Sequence, residues 1–234
     1  MRIDVITLFP GMFRGPLTES IVGRAEKEGK VEIHYHDLRR WGIGNYRQVD
    51  DKPFGGGAGM LMRVDVVAKA IDEVTEDGRK SMKGMRKLKD VFGLKFRPHR
   101  IYLSARGQRL TQSKVDAIAK QYPWIILLCG HYEGIDQRIM EGKWIDEEIS
   151  IGDYVLTGGE IPAMVLIDAV CRHIPGVLGK DESSKEESYS PALEGKREYP
   201  HYTRPEDFNG LKVPDVLLSG HHKNIEEWRK SQLR

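Results

Sequence analysis

Three glycine-bearing turns carry the residues best suited to hold a ligand, and each follows an apolar run of strand character. Arg100–Ser104 leads into Ala105-Arg106-Gly107. Trp124–Cys129 leads into Gly130-His131-Tyr132-Glu133-Gly134, and Ile149–Ile151 into the stretch from Gly152 to Glu160. Parallel strands that end in such turns line up backbone N–H and C=O groups along one crevice, where open α/β sheets bind ligands. None of the turns is a phosphate cradle. The chain has no GxGxxG after a strand and no GxxxxGK followed by Ser or Thr. Gly55-Gly56-Gly57-Ala58-Gly59 is rich in glycine, but Met60-Leu61-Met62 behind it is too apolar to face a pyrophosphate. A nucleoside without phosphates fits better, because main-chain groups can read adenine edges and ribose hydroxyls where glycine lets the backbone approach. Taken singly, each turn is better read as a plain turn than as a site. Three turns in register on successive strands favour a site. The histidines give no metal signal. His34 and His36 share a strand face and His221-His222 is a polar pair, neither with a carboxylate or Cys at ligand spacing.

The elements that must position these turns follow from periodicity. Ile3–Leu8 reads as a strand, Pro16–Glu28 as a helix stopped by Gly29, and Val31–Leu38 as an alternating strand. Arg39–Arg63 is a long loop, of a length that is usually functional or disordered. Val64–Val74 has helical spacing, with Val64, Val67, Ala68 and Ile71 on one face. Residues 77–99 interrupt the pattern. Thr111–Lys120 is a helix, Trp124–Cys129 a buried strand, Ile145–Ile151 another strand, and Ile161–Cys171 a buried helix. Strands alternating with helices predict a parallel sheet with right-handed crossovers. Residues 179–189 are polar and low in apolar side chains, as a mobile linker would be. Beyond them Lys223–Leu233, with Ile225 and Trp228 at helical spacing, makes a small C-terminal helical piece.

A chain of 234 residues allows one large domain with an appendage. The longest apolar run is far short of a membrane span, and Asp4 and Pro10 spoil the N-terminus as a signal peptide. Cys129 and Cys171 cannot build a disulfide framework, which points to a reducing cytoplasmic setting. Net charge is only +2, but residues 79–100 hold nine Lys or Arg against the single acid Asp90. That block is either a contact for a phosphate backbone or a solvated surface loop.

Two stretches identify a relationship. Leu128 to Asp136 (LCGHYEGID) and Ile151 to Ala163 (IGDYVLTGGEIPA) closely resemble the bacterial tRNA (guanine-N1-)-methyltransferases. Leu8-Phe9-Pro10 with Met12-Phe13, residues 49–62 (VDDKPFGGGAGMLM), residues 200–205 (PHYTRP) and residues 214–220 (PDVLLSG) match the same family, so the resemblance runs along nearly the whole chain. It implies a knotted S-adenosylmethionine-dependent enzyme of the SPOUT class that methylates the guanosine at position 37 of tRNA. The fold implied is α/β: a parallel sheet with helices on both faces, a deep trefoil knot and a small C-terminal helical domain. The implied organisation is a methyltransferase domain over residues 1–175 with a basic insertion at 77–99, a linker over 176–200, and a tRNA-binding domain over 201–234. The family also implies a homodimer with its site at the subunit interface.

Guanine N1 carries a proton and is a poor nucleophile. Methylating it requires a base for that proton and a cation for the charge developing on O6, whereas no metal is required. The resemblance points to Arg172 as the O6 partner and to Glu187 as the base. The family usually has Asp at this second position, and Glu186 is adjacent. By the same resemblance Tyr102, Leu103, Ser104, Gly130, Tyr132, Glu133, Gly134, Ile151, Gly152, Tyr154, Leu156, Gly158, Gly159 and Pro162 would line the pocket for S-adenosyl-L-methionine. Asp50, Gly55, Gly56, Gly57 and Gly59 would lie near the target base, with Ala58 where Pro is frequent in the family. His201, Tyr202, Arg204, Ser219 and His221 would meet the RNA. Mg2+ is compatible with this scheme but is not indicated by the residues. Two alternatives remain at this level: a non-catalytic RNA-binding protein on the same fold, and a methyltransferase for another RNA base.

Overall fold

A computed structural model describes residues 1–82, 97–178 and 187–234. Most of the basic block and most of the polar linker stretch therefore lie outside the described residues. The chain divides into two compact units, Met1–Val177 and Leu178–Arg234.

The first unit is built on five parallel strands in the order β2-β1-β6-β5-β7. These are β1 (Arg2–Thr7), β2 (Glu32–Asp37), β5 (His99–Arg109), β6 (Trp124–Cys129) and β7 (Glu147–Ser150). Two short strands, β3 (Asp50–Asp51) and β4 (Leu61–Met62), pair antiparallel within the long 39–63 loop. Every residue of β1 and β6 is buried, as inner strands of a two-faced sheet are; β6 is apolar throughout, whereas β1 also buries Arg2, Asp4 and Thr7. Side chains alternate across the sheet. Ile3, Val5, Ile125 and Leu127 pack on one face against α1 (Ser20–Lys27), α3 (Gln112–Gln121) and α5 (Glu160–Cys171). Ile6, Ile126 and Leu128 pack on the other face against α2 (Val64–Ser81), in a cluster that includes Ile139 of the short α4 (Arg138–Glu141).

Three elements differ from the sequence expectation. Helix α1 begins at Ser20 rather than Pro16. A Cβ on Gly23 would lie 2.2 Å from the Thr18 carbonyl oxygen, so residues 16–19 fold back over that glycine instead of extending the helix. Helix α2 runs past the expected start of the insertion, to Ser81. Gly78 allows this, because its bare Cα faces the Trp124 ring, which a Cβ would meet at 2.2 Å. Ala105-Arg106-Gly107 is a bulge inside β5 rather than a turn at its end. Pairing with β7 jumps from Leu103 to Gln108, both opposite Ile149.

The half of the sheet near the strand N-termini is fixed by one carboxylate. Asp4 is fully buried and accepts from Arg2 Nε at 2.7 Å, Arg2 Nη2 at 2.8 Å and Trp124 Nε1 at 2.7 Å, with His36 Nε2 at 2.7 Å. Arg2 also donates to Ser81 Oγ at 2.6 Å, which ties the end of α2 to β1. Burial alone would raise the Asp4 pKa. The hydrogen bonds from His36 and Arg2, with the Arg2 charge, outweigh that and hold it below the ordinary carboxylate value.

The second unit holds a two-stranded antiparallel pair, β8 (Asp207–Phe208) and β9 (Leu211–Lys212), then α6 (Asp215–Leu218) and α7 (His222–Ser231). Its C-terminal helical piece is thus preceded by a hairpin. Arg197 and Arg234 exchange backbone hydrogen bonds, which closes the unit on itself.

Candidate functional site

Parallel pairing brings the bulge of β5 level with the C-terminal ends of β6 and β7, and a cavity of about 240 Å³ opens there. All fourteen residues expected at the nucleoside pocket line it. Tyr102, Leu103 and Ser104 come from β5, and Gly130, Tyr132, Glu133 and Gly134 from the turn after β6. Ile151, Gly152, Tyr154, Leu156, Gly158 and Gly159 come from the segment after β7, and Pro162 from α5. Arg106, His131 and Thr157 also line it. They were missed although they lie in the same turns, because the expectation weighed glycines and resemblance rather than side-chain charge.

Glycine is a packing requirement at two of these positions. A Cβ on Gly130 would sit 2.8 Å from the Tyr102 ring and hydroxyl, and one on Gly159 would sit 2.7 Å from Cys129 Cα and Gly130 N. The Gly159 N–H instead donates to the Gly130 carbonyl at 2.8 Å, which joins the start of α5 to the end of β6. Burial, reinforced by the Glu148 charge, raises the Tyr102 pKa, so this phenol stays protonated and able to donate at neutral pH.

Beside the cavity stands a polar cluster that sequence reasoning did not anticipate. Glu160, the first residue of α5, is buried, and its Oε1 accepts from Thr7 Oγ1 at 2.7 Å. Its Oε2 lies 3.5 Å from His131 Nε2. The His131 ring packs on Phe9 at 4.9 Å between centroids. Burial and the Glu160 charge together raise the Cys129 thiol pKa well above its ordinary value, so this cysteine is an inert core residue.

The glycine-rich loop meets the same turn. Glu133 N donates to Met60 O at 3.0 Å, Met62 N to Gly134 O at 2.9 Å, and Asp136 N to Met62 O at 3.2 Å. Gly55, Gly56, Gly57 and Gly59 all have positive φ, between 82° and 121°. A Cβ on Gly59 would lie 2.4 Å from the Glu133 side chain. Asp50 sits in β3 opposite Met62, and its charge adds to burial in raising the Tyr132 pKa. Asp50 and the loop glycines are thus adjacent in structure to the residues around Tyr132 and Glu133.

Arg172 caps the end of α5 and lines a separate groove of about 430 Å³ with Asp168, Val165 and His173. Glu187 belongs to the second unit, where its carbonyl accepts from Ser190 N at 3.0 Å; Glu186 lies outside the described residues. His201, Tyr202, Arg204, Ser219 and His221 are all exposed in that unit. His201 Nε2 lies 3.3 Å from Glu198 Oε2, the Tyr202 ring stands 6.3 Å from Trp228, and Ser219 Oγ accepts from His221 N at 3.2 Å. Among the described residues no three His, Cys, Asp or Glu side chains gather as metal ligands, and no helix is long and apolar enough to cross a membrane.

The sequence was compared with known proteins. The family model described as tRNA (Guanine-1)-methyltransferase TrmD matches residues 1–234. Among curated proteins, the tRNA (guanine-N(1)-)-methyltransferase of Ruminiclostridium cellulolyticum is 50% identical over 232 residues, covering 99% of this chain and 91% of that protein. The protein of the same name from Chloroflexus aurantiacus is 49% identical over 233 residues, covering 99% and 83%. That from Endomicrobium trichonymphae is 46% identical over 230 residues, covering 98% and 92%.

Proposed function

The chain belongs to the tRNA (guanine-1)-methyltransferase family, and from that premise we propose that it transfers a methyl group from S-adenosyl-L-methionine to N1 of the guanosine at position 37 of tRNA, on the 3′ side of the anticodon, in the cytoplasm. The observation that carries the donor assignment is the meeting of the β5 bulge with the turns after β6 and β7 around one hollow. Its lining suits an uncharged nucleoside. Backbone groups of Gly130, Gly134 and Gly152 are reachable without a Cβ in the way, and Tyr102, Leu103, Ile151 and Leu156 supply apolar walls.

A sulfonium donor supplies an already activated methyl group. The protein therefore has to align the acceptor, exclude water and manage one proton. In this reading the β5 bulge and the turns after β6 and β7 hold the nucleoside and fix the direction of transfer. Asp50 and the 55–59 loop border the space where the base would enter, next to Met60 and Met62, which are bonded to the Glu133–Asp136 segment. Glu187 takes the N1 proton and Arg172 meets the charge on O6. His201, Tyr202, Arg204, Ser219 and His221 contact the RNA. An extruded anticodon-loop base costs a few kcal/mol to unstack, roughly what several phosphate contacts can offset.

The same reading includes the trefoil knot, the division into residues 1–175, 176–200 and 201–234, and the homodimer. The dimer has one supporting feature in this chain. Ile161 and Val165, one helical turn apart on α5, are 47% and 42% exposed, with Phe9 and Met12 exposed as well.

Single-turnover assays on tRNA carrying guanosine at position 37 test the proposal. Glu187→Gln and Arg172→Ala are expected to keep donor affinity while losing about 10²–10⁴-fold in rate. A normal rate for Glu187→Gln with a dead Glu186→Gln would move the base by one residue. Methylation of a different nucleotide, mapped by mass spectrometry, would refute the assigned target.

A further inference from the structure

Two charged side chains stand out in the cavity lining, a guanidinium at Arg106 and a carboxylate at Glu133, the latter in the same turn as the His131 imidazole. Arg106 lies in the β5 bulge, where its backbone N–H donates to Ser104 Oγ at 3.1 Å. That bond fixes the bulge and sets the residue at the cavity rim.

Strand β5 carries three arginines, and two are already committed. Arg100 Nε meets Asp146 Oδ2 at 2.9 Å, and Arg109 Nη2 meets Asp153 Oδ2 at 3.2 Å. The Arg106 guanidinium has no hydrogen bond or ion pair among the described residues. An arginine in a strand whose other arginines pair with aspartates, left unpaired where a cavity opens, is a recognition group for an anion of the ligand.

Adenosine has no anion to offer. The amino-acid end of the methyl donor has one, its α-carboxylate. We propose that Arg106 binds that carboxylate, and so orients the donor with its adenosine among the glycine turns and its amino-acid end toward the β5 bulge. Glu133, on the neighbouring turn, then provides the opposite charge for the cationic groups of the same ligand. This inference rests on the donor assignment above, and the ligands below separate the two.

Calorimetry on the full chain would compare S-adenosylhomocysteine, which has the carboxylate, with 5′-methylthioadenosine, which keeps the adenosine and thioether but lacks the amino-acid end. Arg106→Ala is expected to weaken S-adenosylhomocysteine about 5- to 20-fold, as loss of a partly exposed charge-assisted contact does, and to leave 5′-methylthioadenosine unchanged. Arg106→Lys is expected to recover only part of the loss, because it restores the charge without the planar fork. Equal weakening of both ligands, or of neither, would overturn the inference while leaving the donor assignment standing. A fall in tRNA affinity with S-adenosylhomocysteine unaffected would reassign Arg106 to a phosphate. If the parent protein binds neither ligand, the donor assignment fails and this inference fails with it.

Discussion

Replacing Gly159 by alanine is the sharpest test of how the cavity is built. The backbone is not the obstacle, because Gly159 has φ −84° and ψ −1°, which any residue adopts. The obstacle is space. The added methyl would lie 2.7 Å from Cys129 Cα and Gly130 N, which are main-chain atoms of a buried central strand. No side chain can swing aside, so α5 must back away from β6, and the 2.8 Å bond from Gly159 N to Gly130 O stretches or breaks. Overpacking of this kind costs about 1–3 kcal/mol, and a buried backbone bond left unmade costs about as much again. The expected loss is therefore about 2–6 kcal/mol, or roughly 4–24 °C in Tm for a unit of this size. Gly56→Ala is the control. It has φ +82° and nothing within 4 Å of a new Cβ, so only left-handed strain applies, about 1–2 kcal/mol. Urea denaturation gives the two stabilities, and calorimetry with S-adenosylhomocysteine gives the cavity. Gly159→Ala should lose more stability than Gly56→Ala and at least tenfold in ligand affinity. Wild-type stability and affinity for Gly159→Ala would refute the close β6–α5 approach on which the cavity rests.

Gly158→Ala differs from its neighbour, because the new methyl would press on the ends of Glu160 and His131, at 2.4 and 2.6 Å, rather than on backbone. It should cost less than Gly159→Ala in a denaturation series while moving the His131 imidazole resonances in an NMR spectrum. Asp4 has its pKa lowered by folding, so its contribution is present above the unfolded value, about 3.9, and is lost as pH falls through the folded value. Asp4→Asn, which leaves buried Arg2 without its counter-ion, should cost about 3–5 kcal/mol at neutral pH and flatten the acid limb of a stability–pH profile. Charge neutralisation at Lys83, Arg86, Lys87, Lys89 and Lys95 should reduce the salt dependence of tRNA binding, and an unchanged slope would make that block ordinary surface. Deleting the block from residue 79 is a poorer experiment, because Ser81 holds Arg2.

The parts of the fold set by local pattern were legible in the sequence. Trp124–Cys129 is apolar throughout, and the strand and its burial match those bounds. Thr111 accepts from Lys114 N as the cap of α3, one residue from the expected start. That the segments around Ser104, Gly130 and Gly152 share one cavity was legible because they lie on neighbouring parallel strands. What could not be read depended on atoms distant in sequence. Gly78 looks like a helix stop until Trp124 is known to lie under it. The β5 bulge depends on a pairing jump opposite Ile149. The Thr7–Glu160–His131 cluster joins residues 153 positions apart, and nothing in the short polar segments around them announces it.

The Asp4 cage gives the sheet two mechanically different ends. Near the strand N-termini, β1, β2, β6 and α2 are bolted together through one ion and its donors. At the far end main chain approaches main chain closely because the glycines carry no methyl groups, with the Thr7–Glu160–His131 cluster as the side-chain tie there. Warming is expected to loosen that rim first, so bound S-adenosylhomocysteine should be released at temperatures where the circular dichroism is still that of the intact sheet.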